Sequence, residues 1–153
     1  MNDYQIRQLG PGDVASMERL TAMFGEAFGE PDTYGEAPPG HVYLERLLAR
    51  DHFIALAAFD GGEVVGGLVA YVLDKFERQR SEIYIYDLAV AEAHRRRGIS
   101  TALIAELRRI GTARGAWVIF VQADQGDDPA IALYTGLGTR EDVLHFDIAV
   151  PSA

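Results

Sequence analysis

The sequence predicts one mixed α/β (α+β) domain spanning residues 1–153, and three observations point to it. Strand-like and helix-like patterns alternate along nearly the whole chain, with no internal repeat or low-complexity tract. A length of 153 residues matches one domain at roughly 150 residues per domain. With 48% hydrophobic and 24% charged residues, the apolar content is too high for disorder and sufficient for a core.

Tyr4-Gln5-Ile6-Arg7-Gln8-Leu9 alternates apolar and polar residues and reads as a first strand, after which Gly10-Pro11-Gly12 turns into Asp13 as a helix N-cap. Val14, Met17, Leu20, Phe24 and Phe28 recur at helical spacing. Residues 29–40 concentrate Gly, Pro and acid, a composition that predicts a long loop. A short helix follows, with Tyr43, Leu44, Leu47 and Leu48 on one face. Two apolar runs, Phe53 to Phe59 and Val64 to Leu73, flank Asp60-Gly61-Gly62 and predict an antiparallel hairpin. A third strand, Ile83 to Val90, leads through His94-Arg95-Arg96-Arg97-Gly98 into a helix carrying Ile99, Leu103, Leu107 and Ile110 on one face, closed by Gly111 and Gly115. Trp117 to Ala123 reads as a strand, and Asp128-Pro129 as an N-cap and first helical position. Ala130, Leu133, Tyr134 and Leu137 form the stripe of that helix, and Val143 to Val150 reads as a last strand.

Composition excludes several functions. The net charge of −9, without a long basic stripe, argues against nucleic acid and favours cationic partners. The apolar run from Val64 to Leu73 is too short to span a bilayer, and the N-terminus lacks the pattern of a secretory signal, so a cytoplasmic protein without a membrane partner is expected. With no cysteine there is no thiolate nucleophile or thiolate metal site. His145 with Asp147 lacks a third ligand, so no metal is expected.

The turn from the third apolar strand into its helix is the most informative segment. Arg95-Arg96-Arg97-Gly98-Ile99-Ser100 can be a solvated helix start or a phosphate cradle. Its position at the positive end of a helix dipole, with a glycine permitting close approach, favours the cradle. It has neither the order of a P-loop nor that of a dinucleotide fold.

These residues resemble the GNAT superfamily of acetyl-CoA-dependent N-acyltransferases. Its motif [RQ]-x-x-G-x-[GA] is matched by Arg95 and Gly98, with Ser100 as a departure, and its second signature by Ala130, Leu133 and Tyr134, with Asp127 in place of an asparagine. The segments 53–60, 81–90, 94–100, 121–141 and 145–148 look like the type I aminoglycoside 3-N-acetyltransferases over almost the whole chain. The resemblance implies a central mixed, mostly antiparallel sheet, splayed between its fourth and fifth strands, with acetyl-CoA in the cleft. It also implies acetyl transfer to the 3-amino group of an aminoglycoside by direct attack, conferring resistance.

On that resemblance, the Arg96 to Thr101 backbone would hold the cofactor pyrophosphate, including the N–H groups of Arg97 and Ile99. A bulge around Leu88, Ala89 and Val90 would hold the thioester carbonyl. Tyr134 would protonate the leaving thiolate, its alternative being a tyrosine that closes the last helical stripe. An acid must accept the proton of the attacking ammonium. Asp87, which interrupts an apolar and aromatic strand, is the first choice, its alternative being a structural bond to the bulge. Glu82 and Tyr84, opposite in parity to Asp87 on a regular strand, are second candidates. Asp124, Asp127 and Asp128, with Glu30, Asp32 and Glu36 from the long loop, could form an anionic rim for ammonium groups. The apolar C-terminal strand could support a homodimer. Acetylation of polyamines or another small cationic amine, and a non-catalytic acetyl-CoA-binding module, are the rival readings.

Overall fold

The computed structural model describes residues 3–153, which fall into two compact units divided between Gln122 and Ala123. The first contains β1 (Gln5–Gln8), a 3-10 turn (Pro11–Asp13), α1 (Val14–Ala27), α2 (Pro31–Gly35) and α3 (His41–Leu48). It continues with β2 (Phe53–Asp60), β3 (Glu63–Asp74), β4 (Ser81–Val90), a second 3-10 turn (Glu92–His94), α4 (Ile99–Ala113) and β5 (Ala116–Val121). The strands form one sheet in the order β1-β2-β3-β4-β5, antiparallel except for the parallel β4–β5 pair. This is the mixed α/β fold that the sequence implied.

The hairpin forms where expected. Gly61 and Gly62 both have positive φ, 58° and 88°, as a tight turn matching strand twist requires, and Asp60 pairs with Glu63 to close it. The two faces of the sheet are covered by different helices, and two adjacent glycines of β3 make room for both. A Cβ on Gly66 would lie 3.0 Å from the Ile99 side chain of α4. On the opposite face, a Cβ on Gly67 would overlap Leu20 of α1 and lie 2.8 Å from the Leu56 carbonyl. Leu20, Leu56, Leu68, Ile83, Leu103 and Leu107 are fully buried around these contacts. Gly67→Ala is therefore expected to cost roughly 1–3 kcal/mol by overpacking. At about 2–4 °C per kcal/mol, a thermal melt should show the midpoint falling by several degrees.

Local details differ from the sequence reading. Asp13 stands at the N-cap position of α1, as expected, but its side chain makes no cap bond: Oδ2 accepts from the Gly10 N–H at 2.8 Å and Oδ1 from Arg7 Nη1 at 2.8 Å, closing the 3-10 turn before the helix. The segment 29–40 is not all loop, because Pro31 supplies a preset φ at the start of the one-turn helix α2. Tyr43 is exposed and only Leu44 and Leu48 of α3 are buried, since eight residues present a narrow apolar stripe. Gly111 lies inside α4 against the Ile83 side chain, and Gly115, with φ 75°, follows the helix end.

The second unit holds α5 (Asp128–Leu137). Its N-cap is Asp127, whose Oδ1 accepts from the Ala130 N–H at 3.3 Å, so Asp128 and Pro129 are the first two helical residues and Asp128 is not the cap. The expected strand over Val143 to Val150 is absent: residues 139–153 have no regular secondary structure. A strand needs a partner edge for its backbone groups, and this unit offers only a helix. Val143, Leu144, Phe146, Ile148 and Val150 are 70–88% exposed.

Candidate active site

The candidate site begins where the sheet splits. Pairing of β4 with β5 runs from Ser81↔Ala116 to Ile85↔Val121 and stops, while β4 continues to Val90 alongside β3. This is the splay that was expected between the fourth and fifth strands.

The β4 bulge lies earlier than expected. Ile85 pairs with Ala70 and Asp87 with Val69, so Tyr86 is the extra residue, and the bulge precedes Leu88–Val90. This one-residue insertion has a large effect on side chains. On a regular strand Asp87 would face away from Glu82 and Tyr84, but Tyr84 pairs with Tyr71 and Asp87 with Val69. Tyr71 and Val69 are two residues apart on β3, hence on one face. The bulge thus brings Asp87 to the face that carries Tyr84 and Tyr71.

Beyond the bulge, the alternation of an antiparallel strand decides which amides are free. The Ala91 N–H donates to the Val65 carbonyl at 2.8 Å, so Ala91, and by alternation Ala89, point toward β3. The amides of Leu88 and Val90 point to the side that β5 has left. The Val90 carbonyl, on that same side, accepts from Arg95 Nε at 3.3 Å. Of the three residues expected to present an N–H, Leu88 and Val90 do so and Ala89 does not.

Asp87 is half-buried, and Tyr34 of α2 donates to its Oδ2 at 3.0 Å. No cation pairs with it among the described residues. Burial raises its carboxyl above the usual aspartate range, the Tyr34 bond opposes that rise, and the negative charge of Glu30 adds to it. The second candidates are differently engaged. Glu82 accepts from Trp117 Nε1 at 3.0 Å and lies 3.6 Å from Lys75 Nζ, while the Tyr84 hydroxyl donates to Gln122 Oε1 at 3.0 Å and its ring stacks on Phe120 at 4.8 Å. Tyr86 stands edge-on to both Tyr71 and Tyr84 at 5.9 Å, making an aromatic wall beside the acid. Asp32 and Glu36 are exposed on and just after α2. Sequence reasoning missed Tyr34, Tyr71, Tyr86, Phe120 and Gln122. A usable signal for Tyr34 was Pro31 three residues earlier, which starts a turn of helix and sets the direction of the tyrosine.

The cradle before α4 has a distinctive backbone. Arg96 and Gly98 both adopt left-handed conformations, φ 64° and 77°, and the first amide after them to bond a backbone carbonyl is that of Ala102, to Gly98 at 3.0 Å. The N–H groups of Arg96, Arg97, Gly98, Ile99, Ser100 and Thr101 have no acceptor among the described residues. A Cβ on Gly98 would meet nothing, so its surroundings are open. Six successive donors at a helix start fit a pyrophosphate well. The arginines divide the work. Arg97 Nη1 donates to Asp60 Oδ2 at 2.9 Å and lies 2.8 Å from His94 Nδ1, with its guanidinium over the Tyr4 ring, so this side chain anchors the loop to the hairpin. Arg95 and Arg96 are exposed.

In the second unit, Tyr134 is half-buried on α5, and its phenol is pushed up to about 12 by burial and by the Asp127 carboxylate. It therefore holds its proton at neutral pH. Asp124, Asp127 and Asp128 are exposed, with Asp127 committed to the helix start, and the Asp127 N–H donates to the Asp124 carbonyl at 3.2 Å. His145 Nε2 and Asp147 Oδ1 are 2.9 Å apart and exposed, paired with each other. No helix among the described residues is long and apolar enough to cross a membrane.

Comparison with known proteins supplies the class of chemistry. An aminoglycoside acetyltransferase from an uncultured soil metagenomic sample is 61% identical, with a TM-score of 0.96 over 99% of this chain and 100% of that one. Another aminoglycoside acetyltransferase from an uncultured soil metagenomic sample, solved in complex with sisomicin, is 30% identical, with a TM-score of 0.91 over 98% of each chain. An N-alpha-acetyltransferase of Sulfurisphaera tokodaii is 27% identical over 150 residues, 91% of this chain and 81% of its own length. The acetyltransferase (GNAT) family model matches residues 17–139. A splayed sheet, a cradle of free amides and this match over most of the sequence lead to one conclusion: the chain belongs to the GNAT acetyltransferase family.

Proposed function

We propose that this protein transfers an acetyl group from acetyl-CoA to the 3-amino group of aminoglycoside antibiotics, and so confers resistance by removing one cation from a ligand that binds RNA electrostatically. The observation that carries the reading is Asp87, a half-buried carboxylate without a cationic partner among the described residues, set among tyrosines at the point where the sheet opens. A polycationic amine supplies the missing charge. The exposed rings of Tyr86 and Phe120, 62% and 37% accessible, add surfaces that attract ammonium groups. The 3-amino position rests on the resemblance to the type I 3-N-acetyltransferases.

Acetyl-CoA supplies the activated thioester. The Arg96–Thr101 amides would hold its pyrophosphate, with Arg95 and Arg96 adding charge. The Leu88 and Val90 amides would donate to the carbonyl oxygen as it gains charge. Asp87 would draw the ammonium in and take its proton, leaving a neutral amine to attack directly. Tyr134 would donate to the departing thiolate. Glu30, Asp32, Glu36, Asp124, Asp127 and Asp128 would hold the other ammonium groups.

We assign the chain to one functional domain because the family match runs through the boundary between the two units. The reading places the reaction in the cytoplasm, where acetyl-CoA is available. The exposed apolar residues of 139–153 support a homodimer, with a mass near twice 16.8 kDa expected by light scattering in solution.

The deciding experiment measures CoA release when gentamicin is added to the purified protein with acetyl-CoA, followed by mass and NMR analysis of the product. One acetyl group on the 3-amine is expected. Acetylation elsewhere would reject the position, and turnover only with polyamines or peptide α-amines would reject the substrate class. Cofactor binding without turnover on any amine would identify a non-catalytic module.

A further inference from the structure

Asp87 has a single hydrogen-bond partner among the described residues, and it comes from a segment distant in sequence. The corner between α1 and α2 is built to deliver it. Gly29, with φ 67°, reverses the chain, and the Glu30 N–H returns to the Gly25 carbonyl at 2.9 Å. A Cβ on Gly25 would lie 3.1 Å from the Tyr34 Cβ and 3.4 Å from the Pro31 Cα, so α2 settles closely on α1 and a side chain there would press it back by a few tenths of an ångström. The Tyr34 ring then sits 6.4 Å from Phe24 and 5.8 Å from Phe28, and its hydroxyl extends to the carboxylate of β4.

We propose that Tyr34 is a positioning residue for Asp87: its hydroxyl fixes Oδ2 and leaves Oδ1 to meet the incoming amine. The proposal rests on the reading of Asp87 as the proton acceptor and adds how that acceptor is aimed. A lone carboxylate at a strand bulge can rotate about its last torsion, and one charge-assisted bond from an aromatic side chain packed on two phenylalanines restricts that rotation. The same bond favours the ionised carboxylate, the form able to take a proton.

The other groups facing Asp87 are Glu30 from the α1–α2 corner, Tyr71 from β3 and Tyr84 from its own strand, with Tyr43 of α3 beside Tyr71 and Tyr86 beside Tyr71, Tyr84 and Tyr34. None of them is a cation. Loss of the Tyr34 hydroxyl would therefore leave the ionised form less favoured, and the carboxyl would titrate at higher pH.

The test compares kcat/KM against pH for wild type, Tyr34→Phe and Asp87→Asn, with gentamicin and acetyl-CoA. Alongside it, the Asp87 carboxyl is titrated by 13C NMR and identified as the resonance missing from Asp87→Asn. Phenylalanine preserves the packing on Phe24 and Phe28, and melting curves check this. In Tyr34→Phe the acid limb and the carboxyl titration are expected to move up together, with about a tenfold loss below the limb and a several-fold loss that persists on the plateau, where the carboxylate is ionised but no longer held. If both stay in place while Asp87→Asn abolishes turnover, the Tyr34 proposal is overturned and the base reading survives. If Asp87→Asn keeps the wild-type rate and limb, the base reading falls and takes the proposal with it.

Discussion

Asp87→Asn is expected to lower kcat/KM for acetyl transfer by about 10²–10⁴-fold, the usual range for loss of a general base. Asparagine keeps the size of the side chain and can still accept from the Tyr34 hydroxyl, but it cannot take a proton or attract a cation. The direction of the stability change separates this loss from unfolding. The folded carboxyl is raised above its unfolded value, chiefly by burial, so the folded state binds more protons than the unfolded state across the interval between the two. Ionised Asp87 therefore destabilises the fold as pH rises through that interval. Removing the charge should leave the melting temperature at neutral pH equal or higher. A large fall in melting temperature would attribute lost activity to folding. Full activity would remove Asp87 from the proton transfer.

Tyr134→Phe should lower kcat by about 10–100-fold with little change in acetyl-CoA affinity. The smaller effect follows from the acidities. A phenol near 12 is more than three pH units less acidic than an ordinary thiol near 8.5, so complete proton transfer to the departing sulfur is uphill. Tyr134 would act mainly as a hydrogen-bond donor to developing charge, worth roughly 1.5–3 kcal/mol. Because the phenol stays protonated throughout the neutral range, the wild-type rate should show no fall from Tyr134 ionisation below about pH 10. A basic limb that Tyr134→Phe removes from the pH 7–9 range would contradict this, as would an unchanged kcat.

The arginine-rich turn shows how far a motif can be read. Arg95 to Thr101 was legible as an anion cradle because close backbone approach and a helix start are local properties of the chain. The division of labour was not, because Arg97 is committed to Asp60, a hairpin residue 37 positions away. Likewise Glu82 and Asp87 are both acids on one strand in sequence, yet Trp117 and Lys75 occupy the first and, among the described residues, only a tyrosine reaches the second.

The sequence by itself determined the elements whose signals are local: the Asp60-Gly61-Gly62 hairpin, the buried stripe of α4 from Ile99 to Ile110, and the amide-rich turn before it. Their periodicities and backbone requirements act over a few residues. Only the tertiary structure decided which way Asp87 faces and what holds it. One inserted residue, Tyr86, reverses the parity of everything after it on β4, and register is set by pairing with β3 instead of by alternation within the strand. It also decided that the apolar C-terminal residues form no strand within their own unit, which holds a helix and no second strand to accept their hydrogen bonds. Tyr34 reaches Asp87 for a similar reason: Pro31 starts the turn of helix locally, but Gly25 of α1 lets that turn pack closely, a contact between helices that Pro31 alone does not encode.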